Sequence, residues 1–369
     1  MRAPRVLLRV DASLELASGH VMRCMTLAKK IAEQGGECVF VCRDLEGNMI
    51  DAIIAAGFAV NVLTKQPQLA SDCIDARLGA TEAVDAKQTL SAIALFKPDI
   101  VIVDHYALGK LWEDSISARV VFVLAIDDFT DRPHACDMLL NQNHGVTPHS
   151  YAGGVLPENC KILAGAQYAL LRPEFAEARA LDFAKSRRNI LISMGGMDAR
   201  NATAWVLNVL DEYSLPKGWS VSVVLGGASP HREAVETQLQ ALNLDADLLV
   251  NVQNMAELMT RADFAIGASG STSWERCAVG LPAIIVSLAA NQDGLAQALV
   301  DAKAAHRVVL GDTMALSQKI AILTSDARAR QAMTRAAASI TDGHGVERVA
   351  KAITQMLVQS EGKANGQQF

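Results

Sequence analysis

Aromatic residues make up only 5% of this 369-residue chain, and acidic side chains outnumber basic ones to leave a formal net charge of -6. A phosphate-backbone binder needs clustered Lys and Arg, so the charge balance argues against a nucleic-acid partner. No apolar run approaches the ~20 residues of a membrane span. Met1-Arg2-Ala3-Pro4-Arg5 leads at once into a short strand, without the apolar stretch and cleavage site of a signal peptide. The seven cysteines, at 24, 38, 42, 73, 136, 160 and 277, lack metal-type spacing and read as reduced core thiols of a cytoplasmic protein. No Gly-x-Gly-x-x-Gly follows the first strand, which argues against a dinucleotide-dependent dehydrogenase. What the chain does have is a half-hydrophobic composition rich in Ala, Leu and Val. That suits helices packed on buried parallel strands, and the length fits two domains rather than one core.

The N-terminal forty residues are the most informative. The apolar strand Val6-Leu7-Leu8-Arg9-Val10 breaks at Asp11, and after a short loop Gly19-His20 opens an amphipathic run. Val21, Cys24, Met25, Ala28, Ile31 and Ala32 recur at the spacing of one helix face until Gly35-Gly36 ends it. Strand, loop and helix together put a histidine at a helix N-terminus, where unsatisfied N–H groups and a partial positive charge attract phosphate.

Strand-like and helical runs then alternate: 37–42, 49–56, 58–63, 82–96, 100–103 and 120–126. This pattern predicts a parallel sheet with right-handed crossovers. Asp104-His105-Tyr106 and Asp127-Asp128 follow the C-terminal ends of two strands, the ligand edge of an open α/β sheet. Pro- and Gly-rich sequence from about 141 to 188 predicts the interdomain connection. A second alternation begins at Asn189 and continues through 221–225, 248–252, 264–266 and 283–287. The expected division is 1–175, 188–360 and a flexible tail, 361–369.

In the second half, Ser193-Met194-Gly195-Gly196-Met197-Asp198 follows a strand, and its paired glycines would let a diphosphate approach the backbone. Ala268-Ser269-Gly270-Ser271-Thr272-Ser273-Trp274-Glu275 also follows a strand and enters a helix. For the serines singly, a helix cap is the simpler reading. As a set they predict a nucleotide site, with N–H groups for phosphate and Glu275 for the ribose hydroxyls.

Two such domains facing across a cleft resemble the GT-B architecture of nucleotide-sugar enzymes. Arg9-Val10-Asp11-Ala12-Ser13, Ser18-Gly19-His20-Val21-Met22-Arg23-Cys24, Asp104-His105-Tyr106, Ile126-Asp127-Asp128, Tyr168-Ala169-Leu170-Leu171-Arg172, Met194-Gly195-Gly196-Met197-Asp198 and Asn291-Gln292 occur in order along nearly the whole chain. Together they resemble the UDP-2,4-diacetamido-2,4,6-trideoxy-β-L-altropyranose hydrolases of pseudaminic acid biosynthesis. The resemblance implies two Rossmann-like doubly wound domains and hydrolytic release of UDP, with water inverting the anomeric carbon.

It also carries roles onto this chain: His20 as base, Tyr106 and Asn291 as catalytic partners, Gln292 near the sugar, and Arg172 and Glu275 as substrate binders. Asp11, Gly19, Gly195, Gly196 and Ser271 complete the expected substrate-binding set. No metal and no cofactor is implied, and the partner is a small UDP-sugar met by a monomer. The family has glycine where this chain carries Ala17 or Ser18, so a stiffer loop is expected before Gly19.

A histidine titrating near neutrality can accept a proton from water. UDP is a good leaving group that helix N-termini can stabilise without a cation. Tyr106 is equally open to a packing role, and Asp11, His105, Asp127 and Asp128 either orient the base or end their strands. His134, His144, His149, His231, His306 and His344 read as surface or loop residues. Two other functions stay open, a GT-B glycosyltransferase using a UDP-amino sugar and a nucleotide-sugar-binding protein without chemistry.

Overall fold

The computed structural model describes residues 3–66, 74–151, 153–179, 187–227, 229–288 and 293–366. The chain divides into two compact units, 1–170 with 344–369, and 171–343. Each is built on a parallel sheet.

The first sheet has seven strands: β1 (Arg5–Val10), β2 (Glu37–Arg43), β3 (Ala59–Leu63), β4 (Ile100–Asp104), β5 (Phe122–Ile126), β6 (Met138–Asn141) and β7 (Lys161–Ala164). Their spatial order is β3-β2-β1-β4-β5-β6-β7, so the order reverses between β1 and β4. Val10 pairs with Asp104 across that junction. The loops leaving β1 and β4 therefore open at the topological switch point, where doubly wound sheets hold ligands. The β1 and β4 side chains are buried almost throughout, as expected for strands covered on both faces.

The second sheet has six strands: β8 (Asn189–Ser193), β9 (Ser220–Leu225), β10 (Ala246–Val250), β11 (Phe264–Ala268), β12 (Ala283–Ser287) and β13 (Ala305–Val309). Its order, β10-β9-β8-β11-β12-β13, puts the switch between β8 and β11. Both predicted phosphate-binding segments, 194–198 after β8 and 269–275 after β11, leave from that switch.

Three sequence expectations differ from the structure. The stretch from 141 to 188 includes β7 and the C-terminal end of β6, so it contributes to the first sheet as well as connecting the units. The C-terminal segment belongs with the first unit, not the second. The helix Gly345–Gly366 buries Val346, Val349, Ala350 and Ile353 in the same apolar cluster as Val21, Leu27 and Ile31 of the helix Gly19–Glu33. The expected flexible tail is for the most part the end of that helix, which runs to Gly366. Among the described residues, no helix is long and apolar enough to cross a membrane.

Candidate active site

The helix Gly19–Glu33 starts one residue after Ser18, whose side chain makes no capping bond. Ala17 just before it has φ 59°, a left-handed conformation that glycine would adopt at lower cost and that this chain imposes on alanine. The turn delivers His20 at the start of the helix, and its side chain is buried.

His20 Nδ1 is 2.6 Å from Asp104 Oδ1. Asp104, the last residue of β4, also accepts from Arg23 Nε and from an Arg23 terminal nitrogen, each at 2.7 Å. Arg23 is one helical turn beyond His20, so both reach the same strand end. Burial pushes the Asp104 carboxyl up, but Arg23 and His20 outweigh it and hold it well below the usual carboxylate range. An ionised Asp104 assigns the ring proton of His20 to Nδ1. Nε2 is then a bare acceptor, with no hydrogen-bond partner among the described residues.

The network extends through Arg23 to both Asp128 oxygens at 3.1 Å, and the Tyr106 hydroxyl donates to Asp128 Oδ2 at 2.6 Å. The Tyr106 ring meets His20 edge-on with centroids 4.6 Å apart. Burial and the Asp128 charge push its phenol well above the ordinary tyrosine range, so it stays protonated and acts as a donor. The sequence motifs contain Asp104 and Arg23 but assign them no role. The signal was available in the i, i+3 spacing of His20 and Arg23 and in an acid ending an otherwise apolar strand.

Asp11, expected as a substrate binder, is committed elsewhere. Its oxygens accept from both terminal nitrogens of Arg9, at 2.7 and 2.8 Å, and from the Arg43 N–H at 2.6 Å. Arg9 in turn is held by Asp85, which also receives Arg43 and Trp112 Nε1. These groups are wholly buried, and Asp11 works there as the counter-ion of a cation inside the sheet. His105 accepts from the Ala107 N–H and, pushed down to about 4 chiefly by burial, is neutral.

His134 lies in a loop, as expected, but not at the surface. It is buried, with Nδ1 2.7 Å from Glu113 and Nε2 2.8 Å from Asp127. Burial disfavours the imidazolium, yet the two carboxylates more than compensate and push the ring up to about 9. His144, His149, His231 and His344 are exposed or half-buried, and His306 is half-buried on the edge strand β13.

In the second unit, Gly195 has φ 91°, and a Cβ at Gly195, Gly196 or Gly270 would meet nothing within 4 Å. Room therefore remains beside these backbone segments for a ligand. Asp198 accepts from Ala202 and Thr203 and so caps the helix Ala202–Tyr213 that follows the loop. The loop after β11 is held by Arg276, which donates to Ala268 O and Ser273 Oγ. The Ser271 hydroxyl makes no capping bond, contrary to the reading of the single serines as caps. Ser269 Oγ is buried without a hydrogen-bond partner.

Glu275, in the first turn of the helix Thr272–Ala278, is half-buried, and its carboxylate has no hydrogen bond or ion pair among the described residues. Burial, opposed by Arg172 and Arg276 and aided by Glu174, pushes its carboxyl up to about 7. Arg172 pairs with Glu174 at 3.0 Å and lies over the Phe175 ring. Asn291 and Gln292 lie outside the described residues.

These features define the class: the fold is that of the GT-B enzymes. A. baumannii MurG matches with a TM-score of 0.68 at 16% identity, covering 95% of this chain and 99% of that one. A co-structure of S. aureus MnaA with UDP matches with a TM-score of 0.64 at 14% identity, over 96% and 97% of the two chains. Residues 190–354 match the glycosyltransferase family 28 C-terminal domain.

The likeness carried by the sequence motifs is found as well. The chain is similar to the UDP-2,4-diacetamido-2,4,6-trideoxy-beta-L-altropyranose hydrolase of Campylobacter jejuni. The two are 28% identical over 268 residues, 72% of this chain and 85% of that protein. It also matches the spore coat polysaccharide biosynthesis protein SpsG of Bacillus subtilis, 31% identical over 207 residues, 55% of this chain and 60% of that protein. The chain thus has the GT-B fold and is similar in sequence to a UDP-sugar hydrolase.

Proposed function

We propose that this enzyme hydrolyses UDP-2,4-diacetamido-2,4,6-trideoxy-β-L-altropyranose, a step in pseudaminic acid biosynthesis. The observation that carries the proposal is the His20–Asp104 contact of 2.6 Å, which leaves Nε2 free to accept a proton. A water oxygen bonds to the anomeric carbon and gives its proton to His20 Nε2. The bond from that carbon to the β-phosphate oxygen breaks with its electron pair on UDP, and the configuration inverts. Asp104 stabilises the imidazolium as it forms, the role of an orienting carboxylate behind a general base.

Tyr106, kept protonated and aligned by Asp128, serves as a hydrogen-bond donor. Gly195, Gly196 and the segment 269–273 receive the diphosphate on backbone N–H groups, and Glu275 accepts from the ribose hydroxyls. Arg172 adds positive charge for the substrate, and Asn291 and Gln292 are assigned to the sugar through the family likeness. No divalent cation takes part in bond cleavage.

The test is to incubate the protein with the UDP-sugar in water alone. Release of free sugar and UDP supports the hydrolase. The family 28 domain favours a transferase as the second reading, which requires turnover only when an acceptor is added. Binding without turnover under either condition means neither enzyme.

A further inference from the structure

Away from His20, the first unit gathers a set of soft and hard donors that the proposed reaction does not use. Glu113 on the helix Lys110–Ser117, His134 and Cys136 in the loop before β6, and Cys160 just before β7 come from three separate segments. The ligand atoms of Glu113, His134 and Cys136 all lie within 4.8 Å of one another, and all three residues are buried. Cys136 Sγ is 3.8 Å from Cys160 Sγ.

Two thiolates on one tetrahedral zinc at ~2.3 Å stand about 3.8 Å apart, whereas a disulfide requires ~2.05 Å. A further feature is His134 Nε2, which faces Asp127 Oδ2 at 2.8 Å. A zinc-bound imidazole typically gives its other N–H to an outer carboxylate in this way, which fixes the ring and its tautomer. Arg132 backs that carboxylate at 2.9 Å.

We propose that Glu113, His134, Cys136 and Cys160 form a closed structural site for a zinc-like divalent cation, with Asp127 orienting His134. The cation takes Glu113 Oε1, His134 Nδ1 and both sulfurs, and the Nδ1 proton and two thiol protons leave for solvent. The Nδ1 to Oε1 separation, 2.7 Å without the ion, has to open to about 3.3 Å, and Cys160, which adjoins the group through Cys136 and lies outside the 4.8 Å triad, has to draw in. With four protein ligands the site keeps no open position, which distinguishes a structural centre from a catalytic one. It ties one helix and two strand connections together. It also anchors Asp127, whose neighbour Asp128 receives Arg23 and Tyr106. The cysteines are 24 residues apart, so no Cys-x-x-Cys spacing announces the site in the sequence.

The test uses the full chain, purified under reducing conditions without added metal, stripped with a chelator and titrated with zinc against a chromophoric competitor, then with cobalt. One zinc per chain is expected, together with cobalt bands of tetrahedral geometry and thiolate charge transfer. The variant Cys136→Ser/Cys160→Ser, which keeps the His134 ion pairs and hence the fold, is expected to lose zinc affinity at least 100-fold and the charge-transfer band. Cys38→Ser, a buried thiol elsewhere in the unit, is expected to change neither. Zinc uptake equal in the wild type and the double variant, or a folded wild type that takes up none, overturns the proposal. A Cys136–Cys160 disulfide in the freshly reduced and refolded chain, detected by peptide mapping, overturns it in favour of a redox pair.

Discussion

Replacing Asp104 by asparagine probes the orientation of His20 more sharply than removing the base. The side chain keeps its shape, but its charge and one of its acceptor oxygens are lost. Oδ1 receives His20 at 2.6 Å and Arg23 at 2.7 Å, while Oδ2 receives Arg23 Nε at 2.7 Å. Whichever way the amide turns, one –NH2 faces an arginine N–H. If it occupies the Oδ1 position, it also donates to His20 Nδ1 and drives the ring proton onto Nε2, where it blocks proton abstraction. Loss of a positioned base costs turnover about 10²–10⁴-fold, and a wrong tautomer costs as much. The fold is weakened too. Buried Arg23 loses one of two carboxylates, and with Asp128 retained the cost falls below the 3–5 kcal/mol of a fully broken pair, at about 2–3 kcal/mol. Single-turnover kinetics, UDP titration calorimetry and urea unfolding separate the three effects. The expectation is turnover down at least 100-fold, UDP affinity within about twofold, and a lower urea midpoint. Turnover within threefold of wild type in a folded Asp104→Asn protein refutes the orienting role.

His20→Asn is expected to lower turnover about 10²–10⁴-fold while calorimetric UDP affinity is kept; near-normal turnover removes His20 from the mechanism. The Glu275 carboxyl, pushed up to about 7 chiefly by burial, must be ionised to accept from two ribose hydroxyls. UDP affinity in wild type should therefore rise as pH increases from 6 to 8, whereas Glu275→Gln binds more weakly, by about 1–3 kcal/mol at pH 8, with a flatter profile. A wild-type affinity that falls over that range contradicts the assignment. Asp85, held well below the usual carboxylate range because Arg9 and Arg43 outweigh its burial, contributes stability that is present above the unfolded carboxylate range near 4 and is lost as pH falls through the folded value. Asp85→Asn is expected to cost about 3–5 kcal/mol at pH 7 and to flatten the acid limb of urea midpoints. An unchanged midpoint shows that the buried pair adds nothing.

The sequence carried the parts of this architecture that depend on local pattern. The first strand, the glycine before His20 and the helical spacing from Val21 to Ile31 each follow from neighbouring residues, and the small-residue loops after β8 and β11 likewise announce themselves. What stayed hidden depends on contacts between distant segments. β7 is only four residues, Lys161–Ala164, too short for a period to register among prolines and glycines. The apolar stripe of the C-terminal helix fits either sheet, and only packing against the helix Gly19–Glu33 decides. Asp11 is expected in the substrate-binding set, but Arg9, two residues earlier in the chain, claims it. His134 does lie in a loop, but its burial stayed hidden because its two carboxylates come from positions 113 and 127. Arg23 and Asp104, 81 positions apart, meet only because β4 pairs with β1.

The most direct measurement of the central claim is turnover of the UDP-diacetamido sugar in ¹⁸O-labelled water without acceptor, followed by mass spectrometry of both products and by NMR of the newborn sugar. The account predicts one ¹⁸O in the sugar, none in UDP, and an initial anomer opposite in configuration to the substrate. Label in UDP means that water attacked phosphorus, retained configuration means a covalent or double-displacement route, and either result contradicts a single water activated by His20.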